Sequence, residues 1–241
     1  EGLLEWNPDF DVEDVRHSES YWVFTVDIAE GNGGDYSVIN IFKVCAMDAK
    51  AIENVQSPGA MYDFFKFKQI ARFRSNTLVI EDFAKVLYTL AVDVFYNENV
   101  KLIVEYNTYG SVLFQYLRSV FPQRNDFDDE MVVRFKHRHD SRTLKPGIKL
   151  KSDNKSIFCQ NFSKLYKNNR ITVTDEVTVT EASLFGTLPN GSYGAQMGHD
   201  DVIMSCITAP EFFNTTDYAD YVEELLDFVD PEIHIKMEQT L

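Results

Sequence analysis

Cysteine is scarce and scattered: Cys45, Cys159 and Cys206 are the only three in 241 residues. An odd number at such wide spacing argues against a disulfide framework or a zinc knuckle. A reducing compartment is the simple expectation. No apolar run approaches the roughly 20 residues of a membrane span, and no signal-peptide pattern opens the chain, so no membrane partner is expected. The phosphate-gripping pattern Gly-x-x-x-x-Gly-Lys-Ser/Thr occurs nowhere, which argues against ATP hydrolysis by these residues. Tryptophan is limited to Trp6 and Trp22, neither near the acidic motifs, so a sugar-cleaving carboxylate pair is disfavoured. Positive charge is short as well. Against 38 Asp and Glu there are 23 Lys and Arg, for a net charge of −15 at pH 7, which by itself disfavours a polyanionic partner.

The distribution of charge changes that conclusion. From Arg134 to Arg170 eleven Lys and Arg face two acids, Asp140 and Asp153, a local balance of +9 that leaves −24 on the remainder. A basic block inside an acidic protein can hold a polyanion while the rest stays soluble. The tail from Glu211 carries nine acids and one lysine, with an amphipathic piece at Tyr218–Val229. The first residue is Glu, from which an upstream portion of the chain is expected. Three regions follow: a linker over residues 1–20 with Trp6 and Phe10 as anchors, a body over 21–210, and an acidic, partly helical tail over 211–241.

The body is organised around Tyr21–Ile28, an apolar, β-branched and aromatic run that reads as a buried strand. A glycine-rich turn, Glu30-Gly-Asn-Gly-Gly-Asp35, joins it to a second strand over Ser37–Val44, as suits a hairpin. A third strand is expected near Gln69–Phe73. Apolar residues at helical spacing predict a helix over Leu78–Tyr96, capped by Asn76 or Thr77. Lys101–Glu105 reads as a short buried strand ending in acid, and Ser111–Phe121 as a helix closed by Pro122. Met131–Lys136 is strand-like. A helix follows over Ser152–Lys167, then a short strand over Ile171–Val173, and Val177–Phe185 fits either class. The glycine-rich loop Gly191–Gly198 precedes Gly198-His-Asp-Asp, which opens an apolar helix over Val202–Ala209 stopped by Pro210. Strands followed by strand–helix alternation indicate an α/β domain with a mixed central sheet flanked by helices.

Three acids hold comparable positions: Asp27 ends the first strand, Glu105 ends the strand after the long helix, and Asp201 begins the late helix. If the first and fourth strands are parallel neighbours, Asp27 and Glu105 lie side by side. A helix packed on that face then brings Asp201 close. Three such carboxylates repel one another, and one takes up a proton unless a cation is bound. Hard oxygen donors select Mg²⁺ or Mn²⁺ rather than zinc. Each acid alone has an ordinary reading: Asp27 starting a turn, Glu105 a solvent-exposed strand end, Asp200 or Asp201 a helix cap. The Gly31–Gly34 loop is a poor phosphate cradle, since Glu30 and Asp35 flank it.

Val26-Asp-Ile-Ala-Glu-Gly-Asn-Gly-Gly-Asp-Tyr36, Ile103-Val-Glu-Tyr-Asn-Thr-Tyr-Gly110 and Gly198-His-Asp-Asp-Val-Ile-Met-Ser205, in that order, resemble the motifs of one family. It is the nuclease domain of the large terminase subunit, the DNA-packaging motor of tailed bacteriophages, most closely of the myovirus type. The resemblance spans roughly residues 20–210 and implies a ribonuclease H-like fold. It implies a metal-dependent endonuclease that cuts concatemeric viral DNA, with Asp27, Glu105 and Asp201 as the metal-binding acids. Asp35 and Asp200 are adjacent candidates for the metal, and Glu30 and His199 for the layer behind it. The implied partners are double-stranded DNA, the ATPase domain of the same parent chain, the portal and the small terminase subunit. The implied place is the cytoplasm of a phage-infected bacterium.

Two ions roughly 4 Å apart would activate a water and stabilise the leaving 3′ oxygen. His199 is a candidate proton shuttle, with a backbone-bonded histidine at a helix start as its ordinary alternative. For DNA, Arg138, Arg142, Lys145, Lys149 and Lys151 are candidates to track phosphates, against the plain reading of a solvated face. Two other functions remain open on sequence: another ribonuclease H-like enzyme such as a transposase or junction resolvase, and a non-enzymatic docking module whose acidic tail binds a basic partner. If the block is the DNA site, binding weakens steeply with salt, each neutralised phosphate contributing roughly −0.9 to the log–log slope. A slope near zero in a salt series of binding isotherms would count against it.

Overall fold

The computed structural model describes residues 2–13, 15, 21–46, 65–95, 100–119, 132, 134–136 and 144–214. A five-strand path runs through the centre in the order β1 (Leu3–Trp6), β4 (Phe65–Ser75), β3 (Ser37–Ala46), β2 (Tyr21–Asp27) and β5 (Val100–Val104). Pairing is antiparallel along it except for β2 and β5, which are parallel. A short strand β8 (Ile171–Thr172) runs parallel to β4 along Phe67 and Lys68, on the edge that β1 occupies further along at 71–74. Val132 makes a parallel bridge to Leu102 on the far side of β5. This is the mixed sheet flanked by helices that the motifs imply.

Both faces of the sheet are covered, which is why β2 is apolar without alternation. Trp22, Phe24 and Val26 face one cluster, with helix α1 (Ile80–Tyr88) and helix α2 (Thr108–Ser119). Tyr21 and Val23 face the other, under α3 (Ser152–Lys167), α5 (Asp201–Cys206) and a closing 3₁₀ turn at Ala209–Asn214. Between them lie α4 (Glu176–Leu184) and a small hairpin of β9 (Phe185–Thr187) with β10 (Tyr193–Ala195). Strands β6 (Arg134–Lys136) and β7 (Leu144–Pro146) form a second antiparallel pair.

Several expectations shift. The first residues do not form a linker: β1 pairs with Arg74 through Ala71, and Trp6 and Phe10 stack 6.1 Å apart. Strand β4 is eleven residues long, with a register shift opposite Ile41/Phe42. The long helix starts at Ile80 rather than Leu78, and neither Asn76 nor Thr77 caps it. Its N-cap is Val79, and Ser75 Oγ accepts instead from the Thr77 and Leu78 amides. Its last turn, Thr89–Val94, is π-helical, closed by Phe95 N–H donating to Leu90 O at 3.0 Å. That wide turn keeps Leu90, Ala91, Val92 and Phe95 on the buried side. Val177–Phe185 is mainly helix, with Asp175 as N-cap accepting from Thr178 N. Pro210 lies inside the 3₁₀ turn and does not end the body, since Phe212 and Phe213 beyond it are fully buried. The amphipathic piece at Tyr218–Val229 lies outside the described residues.

Phe213 stacks on Phe65 at 4.7 Å between centroids and meets Phe67 edge-on at 5.6 Å. Phe213→Ala is therefore expected to cost about 3–5 kcal/mol of stability, measured by denaturant unfolding of the whole chain. A loss below about 1 kcal/mol would return residues 211–214 to the tail.

Candidate metal centre

The parallel register of β2 and β5 pairs Val26 with Val104, so the next residue on each strand is an acid at the same end of the sheet: Asp27 and Glu105. Glu105 is held there on both sides. Its amide donates to Val26 O at 2.8 Å, and it bridges to Ile148, whose own amide donates to Val104 O at 2.8 Å. Below it the first turn of α2 comes very close. A Cβ on Gly110 would lie 2.1 Å from Glu105 O, so only glycine fits, and Asn107 Oδ1 accepts from Gly110 N at 2.8 Å. That is the physical content of the Asn-Thr-Tyr-Gly motif.

Asp27 and Glu105 share a hydrogen bond, and burial raises both carboxyls. Burial pushes Asp27 well above the usual carboxylate range, and the Glu105 carboxylate and the charge of Asp201 push it further. Glu105 is also raised by burial, opposed by the hydrogen bond from Asp27 and the positive charge of Lys155. Of the two, Asp27 is the one held further toward its protonated form. Asp201, at the first position of α5, is raised by burial too, against the Tyr36 N–H that it accepts at 2.9 Å. Two hard oxygen donors sharing one proton beside a third acid fit a divalent cation, which would take the proton's place.

Around Asp201 the placement is tight. Glu181 on α4, a residue without a role in the sequence reading, accepts from Val202 N at 2.8 Å and Ile203 N at 3.1 Å. It caps α5 from outside, since Asp200 makes no side-chain cap. Arg74 lies 4.0 Å from Glu181 and stacks 4.5 Å over the Tyr36 ring. His199 meets that ring edge-on at 5.1 Å, and its Nδ1 stands 3.6 Å from Asp201 Oδ2. Asp35, His199 and Asp201 bring three ligand atoms within 4.8 Å of one another.

The other candidates scatter. Asp200 accepts from Ala195 N at 3.1 Å and lies 3.9 Å from Lys155 Nζ, facing β10 and α3. Lys155 belongs to the basic block, but its place beside Glu105 and Asp200 is visible only in three dimensions. Glu30 accepts from Asn32 at 2.9 Å and bonds Tyr109, whose hydroxyl its charge pushes up. Gly31, at φ +77°, passes so near Leu78 O that a Cβ would sit 2.1 Å away, which pins the loop between Asp27 and Asp35. The exposed Lys149 and Lys151 lead from Ile148 into α3, so the basic block passes directly beside Glu105. Lys145 lies on β7, while Arg138 and Arg142 fall outside the described residues. Asp27, Glu30, Asp35, Asn107, Tyr109 and Asp201 all line one polar cleft of about 430 Å³. A hollow of about 400 Å³ lined mainly by apolar side chains, including Phe162, Tyr166, Val173 and Phe185, offers no comparable donor set.

Comparison with solved structures finds the same architecture elsewhere. The crystal structure of the large terminase nuclease from thermophilic phage G20c with bound magnesium aligns with a TM-score of 0.51 at 16% identity, over 87% of this chain and 86% of that one. The same nuclease without a named metal, and with bound cobalt, each aligns at 0.50 and 16% identity, over 86% and 87% of this chain and 86% of theirs. The chain shares its fold with that nuclease. No protein-family model and no curated protein sequence matches the chain. At this identity the likeness is one of architecture alone.

Asp27 gives a test that needs no substrate. Its folded pKa lies above its unfolded value, so the stability from its proton is full below the unfolded pKa and lost as pH rises through the folded one. Unfolding of the metal-free chain is expected to become easier from acid toward neutral pH. Asp27→Asn should flatten that profile, and a divalent cation should restore stability at neutral pH in the native sequence only. An Asp27→Asn profile identical to that of the native chain would refute the assignment.

Proposed function

We propose that this chain is a metal-dependent endonuclease that cuts concatemeric viral DNA during genome packaging, as the nuclease part of a large terminase. The observation that carries the reading is the parallel β2–β5 register, which pairs Val26 with Val104 so that Asp27, which lines the cleft, is followed across the sheet by Glu105, while Asp201 acts on Asp27 from α5. The fold shared with the phage G20c nuclease supports it, and the magnesium and cobalt bound by that protein support a divalent ion here.

Asp27, Glu105 and Asp201 would hold Mg²⁺ or Mn²⁺, with Asp35 and Asp200 at the margin. Ions held there supply an activated water and charge stabilisation for hydrolysis of a phosphodiester. The residues of this chain do the rest. Glu181 and Tyr36 fix the helix start that carries Asp201. Lys155, between Glu105 and Asp200, is placed to offset the negative charge of a phosphate entering the acidic cleft. Lys149 and Lys151 continue the path outward, and phosphate contacts of that kind give little sequence preference. On this reading the partners are double-stranded DNA, the ATPase domain of the parent chain, the portal and the small terminase subunit. The setting is the cytoplasm of an infected bacterium.

Plasmid nicking tests the proposal. Supercoiled DNA is expected to be cut with Mg²⁺ or Mn²⁺ and to stay intact with chelator. Asp27→Ala and Glu105→Ala should each lower the rate by at least about 100-fold, the scale of losing a catalytic electrostatic group. Cleavage that survives Asp27→Ala would remove the mechanism, and no cleavage with any metal would favour a docking module.

A further inference from the structure

We infer that the apolar hollow between α3, α4 and the β9–β10 hairpin is the docking surface for this chain's own acidic tail, taken up through the amphipathic segment Tyr218–Val229. The inference goes beyond the nuclease reading and does not depend on it.

The hollow encloses about 400 Å³, with Phe162 and Tyr166 of α3, Val179 of α4, and Phe185 and Tyr193 of the hairpin around Ile203 of α5. No charged side chain lines it, so it suits neither a metal ion nor a phosphate. Its mouth leaves large apolar groups in water: Tyr166 is 52% exposed and Val179 45%. Apolar residues exposed together beside one cavity mark a contact surface. Positive charge stands at both ends of it. On α3, Lys155 precedes Cys159 by one turn and Lys167 follows Ser163 by one turn, and Cys159 and Ser163 both line the hollow. Lys155 Nζ lies 5.7 Å from the centre of the Phe185 ring.

The tail supplies the complementary pattern. Tyr218, Tyr221, Val222, Leu225 and Val229 recur at i, i+3, i+4, i+7 and i+11, one stripe of a helix. Asp217, Asp220, Glu223, Glu224 and Asp227 fall on the opposite face. A short helix of this kind needs its apolar stripe buried to be stable. As a helix, Tyr218–Val229 is about 18 Å long, the same span as Lys155 to Lys167 on α3. The connection is short enough. The described residues end at Asn214, in the 3₁₀ turn that packs on α3, where Asn161 donates to Glu211 Oε1 at 3.5 Å. Thr215–Asp217 reach about 10 Å further, roughly the width of a helix, which carries the segment round α3 to the hollow. The apolar stripe then enters the hollow while the flanking acids meet Lys155 and Lys167.

The test is hydrogen exchange of the whole 241-residue chain, read by mass spectrometry. Amides of residues 218–229 are expected to exchange more slowly than those of a synthetic peptide of the same sequence. Tyr166→Glu and Val179→Glu each place a carboxylate at an exposed position in the mouth of the hollow. Each should speed exchange of the tail by about tenfold or more, the scale of one large apolar contact. Leu225→Glu should do the same from a position outside the described residues, so the test stands even where a hollow variant weakens the fold. Exchange in β2, read alongside, separates undocking from unfolding. Tail amides that exchange at the peptide's rate in the native chain overturn the inference, as does slow exchange that survives all three substitutions. Protection that grows with protein concentration also overturns it, and assigns the hollow to a second copy. The nuclease reading stands or falls separately, on plasmid cleavage.

Discussion

One constraint shapes the working end of this molecule: the parallel pairing of β2 with β5. Because successive side chains alternate across a sheet, a register shift of one residue would turn Asp27 to the opposite face while leaving Glu105 in place. The register is fixed by Val26 against Val104, with apolar packing on both faces of both strands. The fold therefore forces two acids into a partly desolvated position where burial raises both and the charge of Glu105 raises Asp27 further. Crowding of like charge is unfavourable for folding. It is tolerated because some hundreds of Å² of apolar surface on either side of the sheet outweigh it.

Asp201 reaches this pair by a different route. Helix α5 is only six residues long and has no cap of its own, so its position is imposed from outside. Glu181 satisfies two of its first amides, and Asn40 Nδ2 donates to Val202 O at 3.2 Å from the sheet below. Ser205 further along donates to Thr25 O at 2.9 Å. Asn40 in turn accepts from Gln69, which also reaches Thr178 on α4. A buried polar chain of this kind specifies an arrangement to the extent that it is satisfied. Here Gln69 Oε1 is left buried without a partner, while the bonds that are made tie α4, the sheet and α5 together around Asp201.

How much of this was legible depends on where the stabilising contacts lie. Strands β2, β3 and β5 were visible because both faces are buried and the apolar run is unbroken. The glycines and acids at their ends marked where they stop. Strand β1 was not visible: Leu3–Trp6 is four residues long, and only its pairing with β4 makes it a strand. Helix α4 carries Val177, Thr178, Val179 and Thr180, which favour strand. The local Asp175 cap on Thr178 N and the tertiary Arg72–Asp175 ion pair at 2.8 Å make it a helix. The roles of Glu181 and Lys155 left no mark in spacing, since their partners are distant in sequence. Of the candidate site, the motif residues could be read and the residues that position them could not.

The charge pattern then has a consequence for order of events on the proposed function. The chain outside the basic block carries −24, and the cleft itself is lined by Asp27, Glu30, Asp35 and Asp201. A bare cleft repels a phosphate backbone that Lys149, Lys151 and Lys155 draw toward it from one side. Cations at the acids reverse that local sign. Metal and DNA then favour each other's binding, and by linkage the coupling is the same in both directions. A nuclease built this way is quiet toward DNA while its acids are protonated or empty, without any moving part to close it. The restraint comes from the same crowded carboxylates that make the cation welcome.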